Sequence, residues 1–315
     1  MTTRGTIDVH AHYLPDTYRS ALLATGHDRP DGFPQIPEWS AEEHVAAMDR
    51  LGIETSLLSI SSPGVHLGDG ATVDRAREVN EAGHRAVVDH PGRFGLLAAL
   101  PLPDVDAAVA EIGHCTDTLG VAGFAVLTNV GGTYLGDPAF APVFRELDRR
   151  GSRLFLHPTS PPCWERTSLG RPRPMLEFLF DTTRAVVDLV LNGTVATHPD
   201  IEFLIPHAGA TLSMVADRVG VFSLLLGTDP AVDVLRDVGR LHFDLAGFPV
   251  PRQLDALLTL TSIEHLHYGS DYPFTPEFAV AAARDRLAEV PDPSHLLDTL
   301  RANTARLFPA LAARP

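Results

Sequence analysis

Two histidines one residue apart, His10 and His12, close an apolar, β-branched run that begins at Thr6. Residues two apart on a strand project to the same side, so both imidazoles can aim at one point. A neutral imidazole is the commonest side-chain metal ligand, and two of them on a rigid strand supply half of a metal site. The pair alone does not decide the matter, because two histidines at a strand end serve equally well for unrelated hydrogen bonds. Three further residues stand where other predicted strands end: His157, His207 and Asp271. Three imidazoles and one carboxylate suit Zn²⁺ or a neighbouring divalent ion such as Mn²⁺, with a position left open for water or substrate. Neutral imidazoles and one carboxylate would leave such a centre net positive, a trap for an anionic substrate.

What the chain lacks narrows the chemistry. All 25 basic residues are arginine, and no lysine occurs in the 315 residues. That excludes Schiff-base catalysis, a Walker lysine and a carbamylated lysine bridging two metals, so one metal per site is expected. A formal charge of −15 argues against nucleic acid as a partner. No apolar run approaches the ~20 residues of a membrane span, and no signal peptide precedes the first strand, so a cytoplasmic protein without a membrane partner is expected. Cys115 and Cys163 are too few for a disulfide framework or a cysteine-rich zinc module. Cys163 lies six residues beyond His157 and reads as a bystander thiol.

The elements that must position these residues follow a regular beat. Strands are predicted at 6–12, 55–60, 94–100, 122–127, 153–157, 202–205, 241–246 and 265–269. Helices are predicted between and after them at 41–51, 71–89, 105–119, 138–150, 177–192, 212–226, 251–261, 276–289 and 293–308. Ser40 is a good N-cap and Gly52 a good C′ residue for the first of these helices. Alternating short apolar strands and helices imply parallel pairing, and eight is the number that closes a (β/α)₈ TIM barrel. An open doubly wound sheet has less support, since no glycine-rich phosphate turn follows the first strand. The expectation is an α/β fold with one barrel domain over 1–315, and a Pro- and Gly-rich insertion or lid at 13–40. In such a barrel the carboxyl ends of the strands form the active-site mouth. His10, His12, His157, His207 and Asp271 would converge there, and the remaining eleven histidines read as structural.

These motifs carry a resemblance. His10-Ala11-His12, His157-Pro158, His207-Ala208-Gly209 and the run from Gly269 to Phe274 resemble the amidohydrolase superfamily, in its aminocarboxymuconate-semialdehyde decarboxylase-like branch. Ile7 to Pro15, Tyr134 to Pro138, Phe180 to Ala185 and His207 to Leu212 look most like the 6-methylsalicylate decarboxylases of that branch. The resemblance implies His10, His12, His157 and Asp271 as metal ligands and His207 as the acid/base beside the metal. It implies that Arg218 reaches the substrate carboxylate of a neighbouring subunit, hence a homodimer. The branch's other carboxylate-binding arginine has no counterpart, because residues 33–40 contain no arginine. That favours a simpler aromatic acid over the semialdehyde.

The activity so implied is non-oxidative decarboxylation of a small ortho-hydroxybenzoate. The ring carbon bearing the carboxylate takes a proton, delivered by Asp271 or by His207 relayed to it, and CO₂ leaves. Tyr13, Trp164, Phe274 and Phe278 are candidate walls for the ring. A zinc hydrolase of a lactone or amide is the alternative on the same scaffold. A catalytically dead binding module is disfavoured, because every ligand is present.

Overall fold

A computed structural model of the chain describes residues 5–227, 232–290 and 296–312. Its frame is one eight-stranded parallel sheet: β1 (Thr6–His12), β2 (Ile53–Ser59), β3 (Phe94–Ala99), β4 (Gly123–Leu127), β5 (Arg153–His157), β6 (Glu202–Ile205), β7 (His242–Asp244) and β8 (Leu266–His267). Each strand pairs with the next in sequence, as helical crossovers between parallel strands require. The sheet curls until β8 meets β1 through single bridges, Asp8 to Tyr268 and Ala11 to Tyr272. This nearly closed barrel is the expected fold.

Ile7, Val9, Leu57, Leu97, Ala125, Phe155 and Leu204 pack together inside, against Leu307, Phe308 and Leu311 from the C-terminal segment. Strand alternation would send His10 and His12 to the face opposite Ile7 and Val9. The register of β1 against β2 slips between Asp8 and Ala11, where three steps on β1 match two on β2. This bulge lets apolar residues fill the barrel below while the histidines face its mouth. Asp8 stabilises it by accepting the His10 backbone N–H at 3.0 Å.

The helices follow the expectation closely, except that the one predicted at 251–261 is helical only over Arg252–Leu257. Ala41–Leu51 is capped by Ser40, whose Oγ accepts from Glu43 N at 3.2 Å, and ends on left-handed Gly52. Predicted helix 105–119 is α-helical over Val105–His114 and finishes in a π turn, Cys115–Leu119. The last long helix is described over Leu296–Leu307; its predicted start at 293, like His295, lies outside the described residues.

Three differences stand out. The insertion at 13–40 is not irregular throughout: Asp16–Ala24 is a helix that buries Tyr18 and Leu22, and Tyr18 OH donates to Gly64 O at 2.9 Å. A short helix, Val234–Gly239, precedes β7, and a two-stranded hairpin, Asn129–Val130 with Thr133–Tyr134, follows β4. Strands β7 and β8 are shorter than expected, because the chain leaves the sheet to shape the mouth.

Candidate metal centre

Five strand ends build the site. β1 delivers His10 and His12, β5 ends at His157, His207 begins the turn after β6, Asp244 ends β7, and Asp271 follows β8. The loop carrying Asp271 is stitched to β1, since Asp271 N donates to His10 O at 2.7 Å and His12 N to Tyr272 O at 2.7 Å. Asp8 accepts from both Ser270 N, at 3.0 Å, and Ser270 Oγ, at 2.5 Å. Burial pushes the Asp8 carboxyl up to about 7 against these hydrogen bonds.

Each ligating imidazole has its Nδ1 committed to an acceptor. His10 Nδ1 lies 2.9 Å from Asp244 Oδ2, His12 Nδ1 3.2 Å from Ser59 O, and His157 Nδ1 2.7 Å from Pro158 O. Those partners fix the tautomers and leave the Nε2 lone pairs free. The free atoms face one another: His10 Nε2 lies 3.1 Å from His12 Nε2, and Asp271 Oδ1 lies 3.1 Å from His12 Nε2 and 3.4 Å from His10 Nε2. Lone pairs crowded on a carboxylate repel unless a cation stands among them. The ligand atoms of His10, His12, His157 and Asp271 lie within 4.8 Å of one another, the one such group among the described residues. The donor set therefore fits a single divalent metal ion.

The electrostatics agree. Burial pushes the His10 imidazole down, but the carboxylates of Asp244 and Asp271 outweigh it and hold it up at about 10. Burial holds His12 low and His157 well below the usual histidine range. Burial raises the Asp271 carboxyl, and the imidazoles of His10, His12 and His207 more than reverse that, holding it well below the usual range. The site thus prefers a positive charge between its carboxylates and neutral imidazoles around it. A dication meets that demand better than a proton on His10.

His207 is half-buried, its Nε2 3.8 Å from Asp271 Oδ2. Asp271 therefore turns one oxygen toward the ligand imidazoles and the other toward His207. His207 and Asp271 both sit at positive φ, 55° and 59°, where side-chain-bearing residues are strained. Gln253 holds the His207 turn, donating from Nε2 to His207 O at 2.5 Å and to Ala210 O at 3.0 Å.

Above these residues opens a cavity of about 490 Å³ lined by His157, His207 and Asp271 together with Phe33, Met175, Phe178, Leu179, Phe248 and Phe274. Phe274 lines it, its ring 5.6 Å from that of His12. Tyr13 does not: it is 1% exposed, donates its hydroxyl to Val79 O at 2.9 Å and belongs to the core. It follows His12 directly, so the strand turns it away from the mouth. Trp164 lines a neighbouring cavity with the Arg173 guanidinium 4.0 Å above its ring, and Phe278 is exposed on the helix Glu277–Ala288. Cys163 is an exposed free thiol. Arg218 is exposed on the helix Leu212–Leu226, 4.9 Å from the Phe222 ring, and does not line this cavity.

Asp244 is the residue sequence reasoning missed. It is fully buried and joins His10 to His207, accepting from His10 Nδ1 at 2.9 Å, His207 N at 3.1 Å and Ala246 N at 2.9 Å. Its signal was a carboxylate ending an apolar strand, in Leu241-His242-Phe243-Asp244.

The amidohydrolase family profile matches residues 7–310, nearly the whole barrel. The chain belongs to the amidohydrolase family. Among curated relatives, the 6-methylsalicylic acid decarboxylase acuB of Aspergillus aculeatus is 31% identical over 322 aligned positions, covering 97% of this chain and 96% of its own. The crystal structure of an amidohydrolase II superimposes with a TM-score of 0.92 at 35% identity, covering 96% of this chain and 99% of that one. A dihydroxybenzoic acid decarboxylase from Polaromonas sp. JS666, with bound manganese and the inhibitor 2-nitroresorcinol, shares the fold at 20% identity and TM-score 0.83, over 98% and 97% of the two chains. Among the described residues of this amidohydrolase, no helix is long and apolar enough to cross a membrane.

Proposed function

We propose that the chain is a metal-dependent, non-oxidative decarboxylase, a carbon–carbon lyase, acting on a small ortho-hydroxybenzoate of the 6-methylsalicylate kind. The observation that carries this is an aromatic-walled cavity set over the His10, His12, His157 and Asp271 cluster. It stands in a chain similar over nearly its whole length to a 6-methylsalicylic acid decarboxylase. Of the described residues lining that cavity none is arginine, so within one chain the metal centre is the cationic anchor for an arene carboxylate.

Held by His10, His12, His157 and Asp271, a divalent ion would supply positive charge to balance an arene carboxylate and phenolate character in the ring. His207 holds a proton at Nε2, and Asp271 Oδ2 beside it relays or stabilises that proton. Phe274 and Phe178 confine the ring and exclude water. The proton adds to the ring carbon that bears the carboxylate. The bond to the carboxylate then breaks, its electron pair restores aromaticity, CO₂ departs, and His207 takes a new proton from solvent.

Three imidazoles and one carboxylate favour Zn²⁺, with Mn²⁺ as the neighbouring choice. Two free cysteines accord with a reducing, cytoplasmic setting. A homodimer in which Arg218 reaches the partner's substrate carboxylate is supported by the exposed apolar face around it. Met214, Val221, Phe222, Leu224, Leu225 and Leu226 on its helix are 46–84% exposed. Mixing Arg218→Ala with His157→Ala chains would then restore activity in the heterodimer, and no recovery despite subunit exchange counts against the shared site.

The test of the activity itself is CO₂ release from a panel of ortho-hydroxybenzoates, run beside lactones and amides. Turnover of the acids alone is expected. Hydrolysis without CO₂ release would overturn the reading.

A further inference from the structure

The barrel mouth holds a second cavity, about 390 Å³, over the ends of β2 to β5 and on the far side of His157. None of its lining residues is Asp, Glu, Arg or Lys. Ile60, Leu100, Leu102, Val126 and Val130 give it apolar walls. The cavity over the metal ligands differs, since Asp31 and Asp271 both line it.

The second cavity is built rather than left over. Gly64 lines it at φ +77°, a backbone conformation that side-chain-bearing residues rarely adopt, with Leu127 Cδ1 2.7 Å from where a Cβ would stand. Its roof is the hairpin after β4, pinned by the fully buried Asp181. That carboxylate accepts from Asn129 Nδ2 at 3.0 Å, from Tyr134 OH at 2.5 Å and from Thr128 Oγ1. The two cavities meet at a pair of side chains. Ser62 lines the metal side and Thr159 the other, and their hydroxyls meet at 2.7 Å. Beside them, Ser160 Oγ donates to Asp31 Oδ1 at 2.5 Å.

We propose that the second cavity is a subsite for an uncharged, apolar substituent of the aromatic acid, and that the Ser62–Thr159 pair decides how large a substituent enters. The substrate class rests on the decarboxylase reading; the occupant's character rests on the lining. A charged group would find no Asp, Glu or Arg among the lining residues to pair with. An alkyl group gains about fourfold in binding for each methylene buried. The Ser62 and Thr159 hydroxyls meet between the two cavities, so removing either hydroxyl widens the gap between them.

The experiment compares kcat/KM for ortho-hydroxybenzoates carrying methyl, propyl or pentyl beside the carboxylate, in wild type, Thr159→Ala and Val130→Phe. Opening the divide should raise the pentyl-to-methyl ratio about tenfold, and filling the cavity should lower it similarly, with metal content unchanged. A ratio that neither substitution moves, in folded and metal-loaded protein, overturns the subsite. A second readout needs no turnover. Trp164 lines this cavity, so neutral 3-alkylphenols titrated against tryptophan fluorescence report its occupancy. If no acid is decarboxylated at all, phenol binding that tightens with chain length and is lost in Val130→Phe upholds the subsite while the activity reading falls. Binding indifferent to both substitutions removes the subsite.

Discussion

The barrel carries a cluster of histidines at each end, and β7 contributes to both: His242 begins the strand and Asp244 ends it. At the floor the hydrogen bonds run head to tail. Thr304 Oγ1 donates to Leu300 O at 2.9 Å, so it accepts from His267 Nδ1 at 3.0 Å. His267 Nε2 in turn meets His242 Nδ1 at 2.9 Å, and His242 Nε2 lies 3.2 Å from Glu202 Oε2. Both nitrogens of His267 thus have a complementary partner. Burial holds His267 well below the usual histidine range, which suits it as an acceptor. At the mouth the Nδ1 atoms are satisfied outward and the Nε2 atoms converge on the Asp271 carboxylate. The same residue type thus builds a hydrogen-bond chain that satisfies the buried His267 at one end and a demand for a cation at the other. Donor accounting separates the two where composition cannot.

That contrast can be broken from either end. The largest effect is expected from His207→Ala, which leaves the four ligands intact: metal content should persist while kcat falls by ~10²–10⁴, as for a missing acid/base. Parallel loss of metal would make His207 a ligand. Asp244→Asn should weaken metal affinity by roughly 10–100-fold, because His10 loses the carboxylate that orients it; competition with a chelator measures this, and unchanged affinity would reduce Asp244 to a backbone anchor.

At the floor, His267→Ala should leave metal content and kcat alone but cost about 1–3 kcal/mol of stability, since Thr304 and His242 lose their shared buried partner. Denaturant unfolding reads it, and metal loss there would erase the distinction between the clusters. The smallest effect concerns Glu202, whose carboxyl the His242 hydrogen bond holds below the usual range. A depressed carboxyl stabilises the fold above its unfolded value and loses that contribution as pH falls through its folded one. Tm of wild type should therefore slightly exceed that of Glu202→Gln at neutral pH, by what a half-exposed pair is worth, and the two should converge in acid.

Much of this was legible in the sequence. The strand beat gave the barrel, and the residues ending four strands gave His10, His12, His157, His207 and Asp271. The hidden parts share a cause: they depend on where the chain leaves regular periodicity. The bulge in β1 is an offset between two distant strands, so nothing local reports it. Asp244 acts through its contact with His10, 234 residues earlier in the chain. Tyr13 carries a ring suited to a pocket wall, but it stands one residue past a ligand and on the opposite side of the strand, in the core. The helix Asp16–Ala24 hides behind flanking prolines and glycines, and only its buried Tyr18 and Leu22 show the amphipathic logic.

The central claim is that one end of the barrel holds a metal and the other does not. Elemental analysis of wild type, His157→Ala and His242→Ala, each purified without added metal, tests it most directly. One divalent ion per chain is predicted in wild type and His242→Ala, and almost none in His157→Ala. Two ions per chain in wild type, or equal content in His157→Ala, would contradict the account.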